Sequence, residues 1–525
     1  FENLTGNPVF DNSLYTAFSL STGQSRYVNI FSRARMKETL ARMEMGDKTF
    51  VDERTGREMA EREGIGLFIV PGISEIGDQY AITARILETK SGDVLKSEVF
   101  YAQEQNEILP VIDRLCRKIR KDLGESRYHI SLQDKPLNRV TTSSLAALKQ
   151  YSLGIESHLN SSFSDARRYY ENALRIDTGF TAAKASLGNI LIQKFNDLRG
   201  KELLREAVRN ADNLTDREKY GIMAFYAEHV EHDYEKAIDN MEILRRLYPD
   251  EPVIRNNLGW YHQQLGEYDI AVEEYKQAVK INPAQGLTYS GILWIYGEFL
   301  GMPDSVIVWG EKMIADNPDN AWGYYYLASA WFCHDSLETS LSLFKRASEL
   351  DPDFVNNQFR LAHVYRHLEK YPEAIKVLER ILAKNPEDAS AVYDLGINYD
   401  AMGNDQEARK YYLRYKKNAE ENWLNNFADY YGTYTSLACV AARLDEMELS
   451  DSMLKKAIAL DSAKYLEFAQ TFCVQGNIQE ALRNLERALD IGYRDLYWLK
   501  ANADLSGLRY DIRFRSLLEK YFSRD

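Results

Sequence analysis

Aromatic rings recur at a fixed interval through the middle of this chain: Tyr226, Trp260 and Trp294 stand 34 residues apart, and so do Tyr325, Phe359 and Tyr393. Around them lie groups that bond peptide main chain or carboxylate: Asn256, Asn257, Arg360 and His363. Rings that grip side chains, beside amides and a guanidinium that bond main chain, suit recognition of an extended peptide. The same rings also suit packing between neighbouring elements in a chain with 35 Tyr, so both readings stay open at Trp260 and Trp294.

Reaction chemistry finds less support. His229 and His232 are three residues apart, so on a helix they share a face with metal-ligand spacing, and Glu231 and Asp233 lie beside them. No distant third ligand accompanies them, and polar residues at a helix end are the expected role. Tyr493-Arg-Asp-Leu496 imitates a phosphotransfer loop, but Lys500 stands five residues after Asp495 where that chemistry needs Asn. Neither a phosphate-covering glycine loop nor an Asp-Phe-Gly ligand occurs with it. Gly64-Ile-Gly66 precedes an apolar run instead of following one, which fits a turn and not a dinucleotide site. The four cysteines, Cys116, Cys333, Cys439 and Cys473, include no C-x-x-C pair; Cys439 and Cys473 fall one repeat apart, and buried packing is their expected role. No catalytic, cofactor or metal residue is assigned, and the chain is expected not to be an enzyme.

What positions the rings is legible in the prolines. Pro249, Pro283, Pro318, Pro352 and Pro386 are separated by 34, 35, 34 and 34 residues. A 34-residue period is that of the tetratricopeptide helix pair. Pro252 to Gln285 places Leu258-Gly259, Ala271, Tyr275, Ala278 and Pro283 at repeat positions 7, 8, 20, 24, 27 and 32. Small residues at positions 8 and 20 let the two helices cross closely, larger ones fill the gaps, and proline stops the second helix. The register recovers about ten consecutive copies between residues 147 and 495, with one extra residue after Gly301 in the copy at 286–320. The expected fold is mainly α: a tetratricopeptide α-solenoid of about ten helix pairs preceded by a small α+β domain. The boundaries read are 1–135 for that domain, 136–146 for a linker, 147–495 for the repeats and 496–525 for helices capping the last repeat.

Residues 1–135 lack the repeat. Gly66–Ile76, Gln79–Thr89 and Val94–Ala102 read as an antiparallel meander, with a further strand at Tyr27–Phe31. Helical periodicity covers Arg33–Met43, Glu53–Glu63 and Glu107–Leu123. The opening, Phe1-Glu-Asn-Leu-Thr-Gly-Asn-Pro-Val-Phe10, resembles a segment of the amino-terminal domain of the translocation protein TolB family. With Thr141 to Gly154 and the tail Gly492 to Phe514, nearly the whole chain is similar to the non-kinase half of bacterial transmembrane serine/threonine kinases and related signalling proteins. That resemblance implies an extracytoplasmic sensory module, and it implies that positions 2, 5, 6, 9, 12 and 13 of each first helix face a concave groove. It supplies no activity. Lys149, Lys184 and Arg255 are out of register for the family's carboxylate clamp, which disfavours a peptide C-terminus as ligand.

Lys and Arg number 65 against 79 Asp and Glu, a net charge of −14 that opposes nucleic-acid binding. At 45% hydrophobic and 27% charged the chain is expected to fold, and no window reaches the roughly 18 apolar residues of a membrane span. Phe1 in place of Met leaves room for an upstream signal peptide, anchor or domain. The reading is a non-catalytic scaffold binding a protein or extended peptide in the repeat groove, without cofactor. The alternative is a structural subunit whose repeats mediate assembly, and a homo-oligomer is compatible with either.

Overall fold

In the amino-terminal part, alternating β-branched runs separated by Gly-Asp turns fold as three antiparallel strands, β2 (Leu67–Ile76), β3 (Gln79–Glu88) and β4 (Val94–Ala102). The computed structural model describes residues 1–25, 27, 28, 30–45 and 51–522, without the side chains of 132, 133 and 425. A short strand β1 (Glu2–Asn3) pairs parallel to β2, giving the order β1-β2-β3-β4. In this register Ile73 lies opposite Ile82 and Ile82 opposite Phe100, and Ile82, Ala84 and Ile86 enter the core. Helices α1 (Ser13–Thr22) and α4 (Ile108–Asp122) share that core, and Ile108, Val111, Ile112, Leu115 and Ile119 are fully buried at the expected spacing. Helices α2 (Arg33–Arg42) and α3 (Glu53–Arg62) form a separate small cluster through Leu40, Met43 and Met59.

Three features here depart from expectation. The stretch 27–31 forms no strand among its described residues, Asn29 lying outside them. Helix α1 is absent from the sequence reading because hydroxyl residues break its apolar pattern. Ser13 donates to the Val9 carbonyl and Thr16 to the Asn12 carbonyl, while Ser21 donates to Asp113, so these side chains are buried with partners. The stretch read as a linker is folded: Leu137–Val140 forms a helical turn, its first amide donates to Asp113 at 2.8 Å, and Leu137 and Val140 are fully buried.

Two compact units divide at Gly266/Glu267, between the helices Pro252–Gln264 and Tyr268–Ile281 of one repeat. In the first unit, Phe1–Gly266, the core of the sheet domain continues through Leu148, Tyr151, Ala166 and Tyr170 into the opening repeats. Helices Leu145–Leu159 and Phe163–Ile176 cross where Gly154 lies on the Tyr170 ring; a Cβ there would come within 2.4 Å of it. The second unit, Glu267–Asp525, repeats the device at Gly396 on Tyr412, where a Cβ would come within 2.5 Å. These are the small and large residues that the repeat register demands.

The residue by which the copy at 286–320 exceeds 34 is taken up before Gly301, not after it. Helix Gly286–Trp294 runs on as a π-helical turn over Ile295–Phe299, the form an α-helix takes when one residue is inserted. Helix Pro303–Asp316 follows, then the pairs Ala321–Cys333 with Leu337–Leu350, Val355–His367 with Tyr371–Lys384, and Ala389–Ala401 with Asp405–Asn418. Tyr431–Arg443 with Met447–Leu460 and Tyr465–Val474 with Ile478–Asp490 complete the pairs. The chain ends in Leu496–Ala501, a 3-10 segment Ala503–Leu508 and helix Ile512–Phe522.

Candidate functional site

The closing helix packs on the last pair, sharing a cluster with Leu482, Leu485 and Leu489 through Phe514 and Phe522. The segment before it does something the sequence does not announce. Residues 495–509 turn back along the first helices of repeats well upstream in the second unit. Leu496, Tyr497, Leu499 and Ala501 are buried there, with Tyr497 on the Phe332 ring at 4.8 Å. Arg360 stacks over Tyr497 at 3.8 Å and over Tyr325 at 5.0 Å. Arg366 donates to the Ala501 carbonyl at 2.9 Å, and the Lys500 ammonium donates to the Cys333 carbonyl at 2.6 Å. Asp504 accepts from Tyr393 at 2.9 Å and from Arg443 at 2.6 Å.

Between this segment and the helices remains a cavity of about 590 Å³. Its helical wall, apart from Tyr415 on a second helix, consists of positions that the family resemblance assigns to the groove. Asn356 and Ser390 come from position 2, Phe359 and Tyr393 from position 5, Arg360 and Asp394 from position 6, and His363 and Cys439 from position 9. The opposite wall is the chain's own Tyr497, Trp498, Asn502 and Asp504. The size falls within the range of about 300–1,000 Å³ usual for ligand pockets.

The floor is charged but internally paired. His363 Nε2 meets Asp394 at 3.1 Å, and Arg366 stands 3.6 Å from the same carboxylate. Burial holds His363 below its usual pKa; burial also pushes Asp394 up, but His363 and Arg366 more than offset it and leave it low. Burial opposes the Arg360 charge too, and Tyr325, Tyr497, Asp495 and Glu298 together raise its pKa despite that. Glu298 and Asp495 are themselves raised by burial, with mutual repulsion adding to it at Glu298. Arg360 is the cation that partly offsets the cost of these two half-buried acids.

Five residues singled out by their spacing thus come together in the second unit: Tyr325, Phe359, Arg360, His363 and Tyr393 all line the cavity. Tyr325, 5% exposed, packs on Phe344 and Phe354, and His363 is 7% exposed, so both belong to the floor. Trp294 is outside the cavity lining; its indole donates to Glu298 and its ring meets Phe299 edge-on at 5.2 Å. In the first unit Trp260 is 38% exposed and donates to Glu228 at 2.9 Å. Tyr226 ends helix Asp216–Tyr226 half-buried, and Asn256 and Asn257 are half-buried on Pro252–Gln264. Spacing alone missed the wall supplied by residues 497–504, since only folding brings it to helices more than a hundred residues away.

The other chemistry-bearing residues are placed by local structure. His229 stacks on Phe225 at 4.0 Å beside Glu228, and His232 terminates its helix in the left-handed region at φ 58°. Among the described residues no cluster of three His, Cys, Asp or Glu side chains is arranged to hold a metal. All four cysteines are free thiols, Cys439 lying 3.4 Å from the Thr471 hydroxyl, and burial pushes its pKa up to about 12. Among the described residues no helix is long and apolar enough to cross a membrane.

Two tetratricopeptide-repeat family models match, over residues 252–285 and 359–422. Anaphase-promoting complex subunit 6 of Arabidopsis thaliana is 23% identical over 260 residues, 49% of this chain, and the match spans 35% of that relative's length. Among solved structures, a tetratricopeptide repeat protein from Parabacteroides merdae has 15% identity and a TM-score of 0.39, covering 51% of this chain and 99% of its own. Yeast Tom70 has 14% identity and a TM-score of 0.38, covering 78% and 97%. YrrB, described as a tetratricopeptide repeat protein with an unusual peptide-binding site, has 17% identity and a TM-score of 0.30, covering 36% and 96%. With its 34-residue register, helix pairs and glycine-on-tyrosine crossings, this chain contains tetratricopeptide repeats and has the fold class of a mainly helical tetratricopeptide solenoid, with a four-stranded sheet at its amino-terminal end.

Proposed function

We propose that the protein is a non-catalytic interaction scaffold that takes an extended segment of a partner protein against the first helices of its repeats. The observation that carries this is the cavity of about 590 Å³ whose helical wall is built from groove positions of successive repeats. Rings, amides and hydroxyls line it, while its internal charges are largely paired, an arrangement suited to main chain and side chains of a peptide and not to bond cleavage. Similarity to a subunit of a multiprotein complex agrees with this reading. The resemblance at Phe1–Phe10 favours a TolB-related fold for the sheet domain and a sensory role outside the bacterial cytoplasm, with the repeats as the part that meets the partner.

Two variants test the scaffold reading in parallel. Ser390→Trp puts an indole at an exposed position on the cavity wall, and Trp260→Ala with Trp294→Ala removes the exposed and half-buried rings at position 9. Cross-linking capture from extracts, with light scattering on each protein, is expected to recover a partner with wild type and to lose it with folded Ser390→Trp. Loss with the Trp pair as well means that those rings also bear on the partner. Self-association as the sole interaction, unchanged by either variant, replaces the reading with that of an assembly subunit.

A further inference from the structure

The cavity wall also carries information about the charge of what it holds, an inference that rests on the peptide-binding reading above. Its ionic groups separate into those already paired and one that is not. Arg360 is taken by Tyr497, Tyr325 and Glu298, Arg366 by Ala501 and Asp394, and Asp504 by Arg443 and Tyr393. Glu467 also lines the cavity, and among the described residues no Lys, Arg or His pairs with it; its contact is the Tyr431 hydroxyl at 3.4 Å. One helical turn further on, Gln470 faces the same cavity. Asn356 and Ser390, on the two helices opposite, complete a set of neutral hydrogen-bonding side chains at this cavity.

We infer that the cavity selects an extended peptide segment carrying a lysine or arginine side chain, whose cation pairs with Glu467 while Gln470, Asn356 and Ser390 bond its main chain. Charge complementarity decides the sign. The charged cavity-lining residues are four carboxylates, Glu298, Asp394, Glu467 and Asp504, against two guanidiniums, Arg360 and Arg366, with His363 held neutral by burial. An acidic segment would meet that excess with no unpaired cation to receive it, whereas a basic one completes the single open pair. Rings at Phe359 and Tyr393 add favourable faces for a cation and its aliphatic stem.

Selection from a capped random heptapeptide library tests this, on wild type and Glu467→Gln side by side, followed by fluorescence anisotropy of the enriched peptides at low and high salt. Glu467 is half-buried at the wall and makes no ion pair among the described residues, so the neutral isostere is expected to keep the thermal melt of the wild type. The expected result is enrichment of Lys or Arg by wild type, affinity that falls with salt, and a loss of about tenfold or more in Glu467→Gln. Enrichment of neutral or acidic peptides, bound equally by both proteins, overturns the inference and leaves the peptide-binding reading standing. Enrichment of no peptide by folded wild type overturns both.

Discussion

Arg360 shows how one side chain joins parts of the second unit that are far apart in sequence. It bonds the Ser329 hydroxyl at 3.3 Å, stacks on Tyr325 and Tyr497, and stands 3.7 Å from Glu298. Its removal leaves the half-buried acids Glu298 and Asp495 without their cation and the Tyr325 and Tyr497 rings without the guanidinium between them. Arg360→Ala is therefore expected to destabilise the second unit by about 1–3 kcal/mol, mostly through lost stacking and hydrogen bonding, measured by urea unfolding. Arg360→Lys is expected to recover only part of that, because an ammonium lacks the flat fork that stacks and bonds at once. His367 makes a second, pH-dependent tie. Its Nδ1 lies 2.9 Å from the His363 carbonyl and its Nε2 2.9 Å from an Arg509 guanidinium nitrogen, so the ring is held neutral as an acceptor from Arg509. Burial and then Arg509 push its pKa down to about 3. The folded value lies below the unfolded one, so this stability is fully present above about pH 6.5 and is lost as pH falls from there toward 3, by at most about 1.4 kcal/mol per pH unit. Unfolding midpoints measured between pH 7 and 5 should fall with acid in wild type and fall less in His367→Gln.

At the scale of elements, the helix pair works because one helix offers a glycine where the other presents a ring. Gly396 and Tyr412 make this contact within the pair Ala389–Ala401 and Asp405–Asn418. Gly396→Ala adds a methyl where the nearest ring atom is 2.5 Å away, so the better helix propensity of alanine is overridden. A net loss of about 1–3 kcal/mol is expected, smaller in a Tyr412→Leu background, and a double-mutant cycle in urea measures the coupling. This contact was legible in the sequence because Leu395-Gly396 and Tyr412 keep the repeat register. Helix α1 was not legible for the opposite reason: its buried hydroxyls are polar by type and satisfied through preceding carbonyls and through Asp113, Cys116, Ser152 and Arg33, partners that only folding supplies. The π turn at Ile295–Phe299 lies between these cases, since the extra residue was countable but the place where the backbone absorbs it was not.

For the molecule as two units, the carboxy-terminal segment is the part whose removal is most informative. Deleting residues 495–525 uncovers Phe332, His367 and the rings beneath Tyr497, and takes one wall from the cavity. Scanning calorimetry is expected to show a lowered or broadened transition for the unit Glu267–Asp525, with that of Phe1–Gly266 retained. An unchanged thermogram would mean that this segment contributes little despite its burial. By itself the sequence determined the repeat, its register, the meander of β2 to β4 and helix α4, because each rests on local periodicity or on a spacing repeated many times. Five of the spaced residues, Tyr325, Phe359, Arg360, His363 and Tyr393, consequently meet at one cavity. Only the tertiary structure decided that the sheet domain shares its core with the first repeats, that residues 137–140 are folded, and that the chain's own residues 497–504 form the far wall. Those outcomes depend on contacts made once, between residues from about 24 to more than a hundred positions apart, which no period encodes and which arise when the folded chain buries Tyr497 and supplies partners for Leu137, Arg360, Arg366 and Asp504.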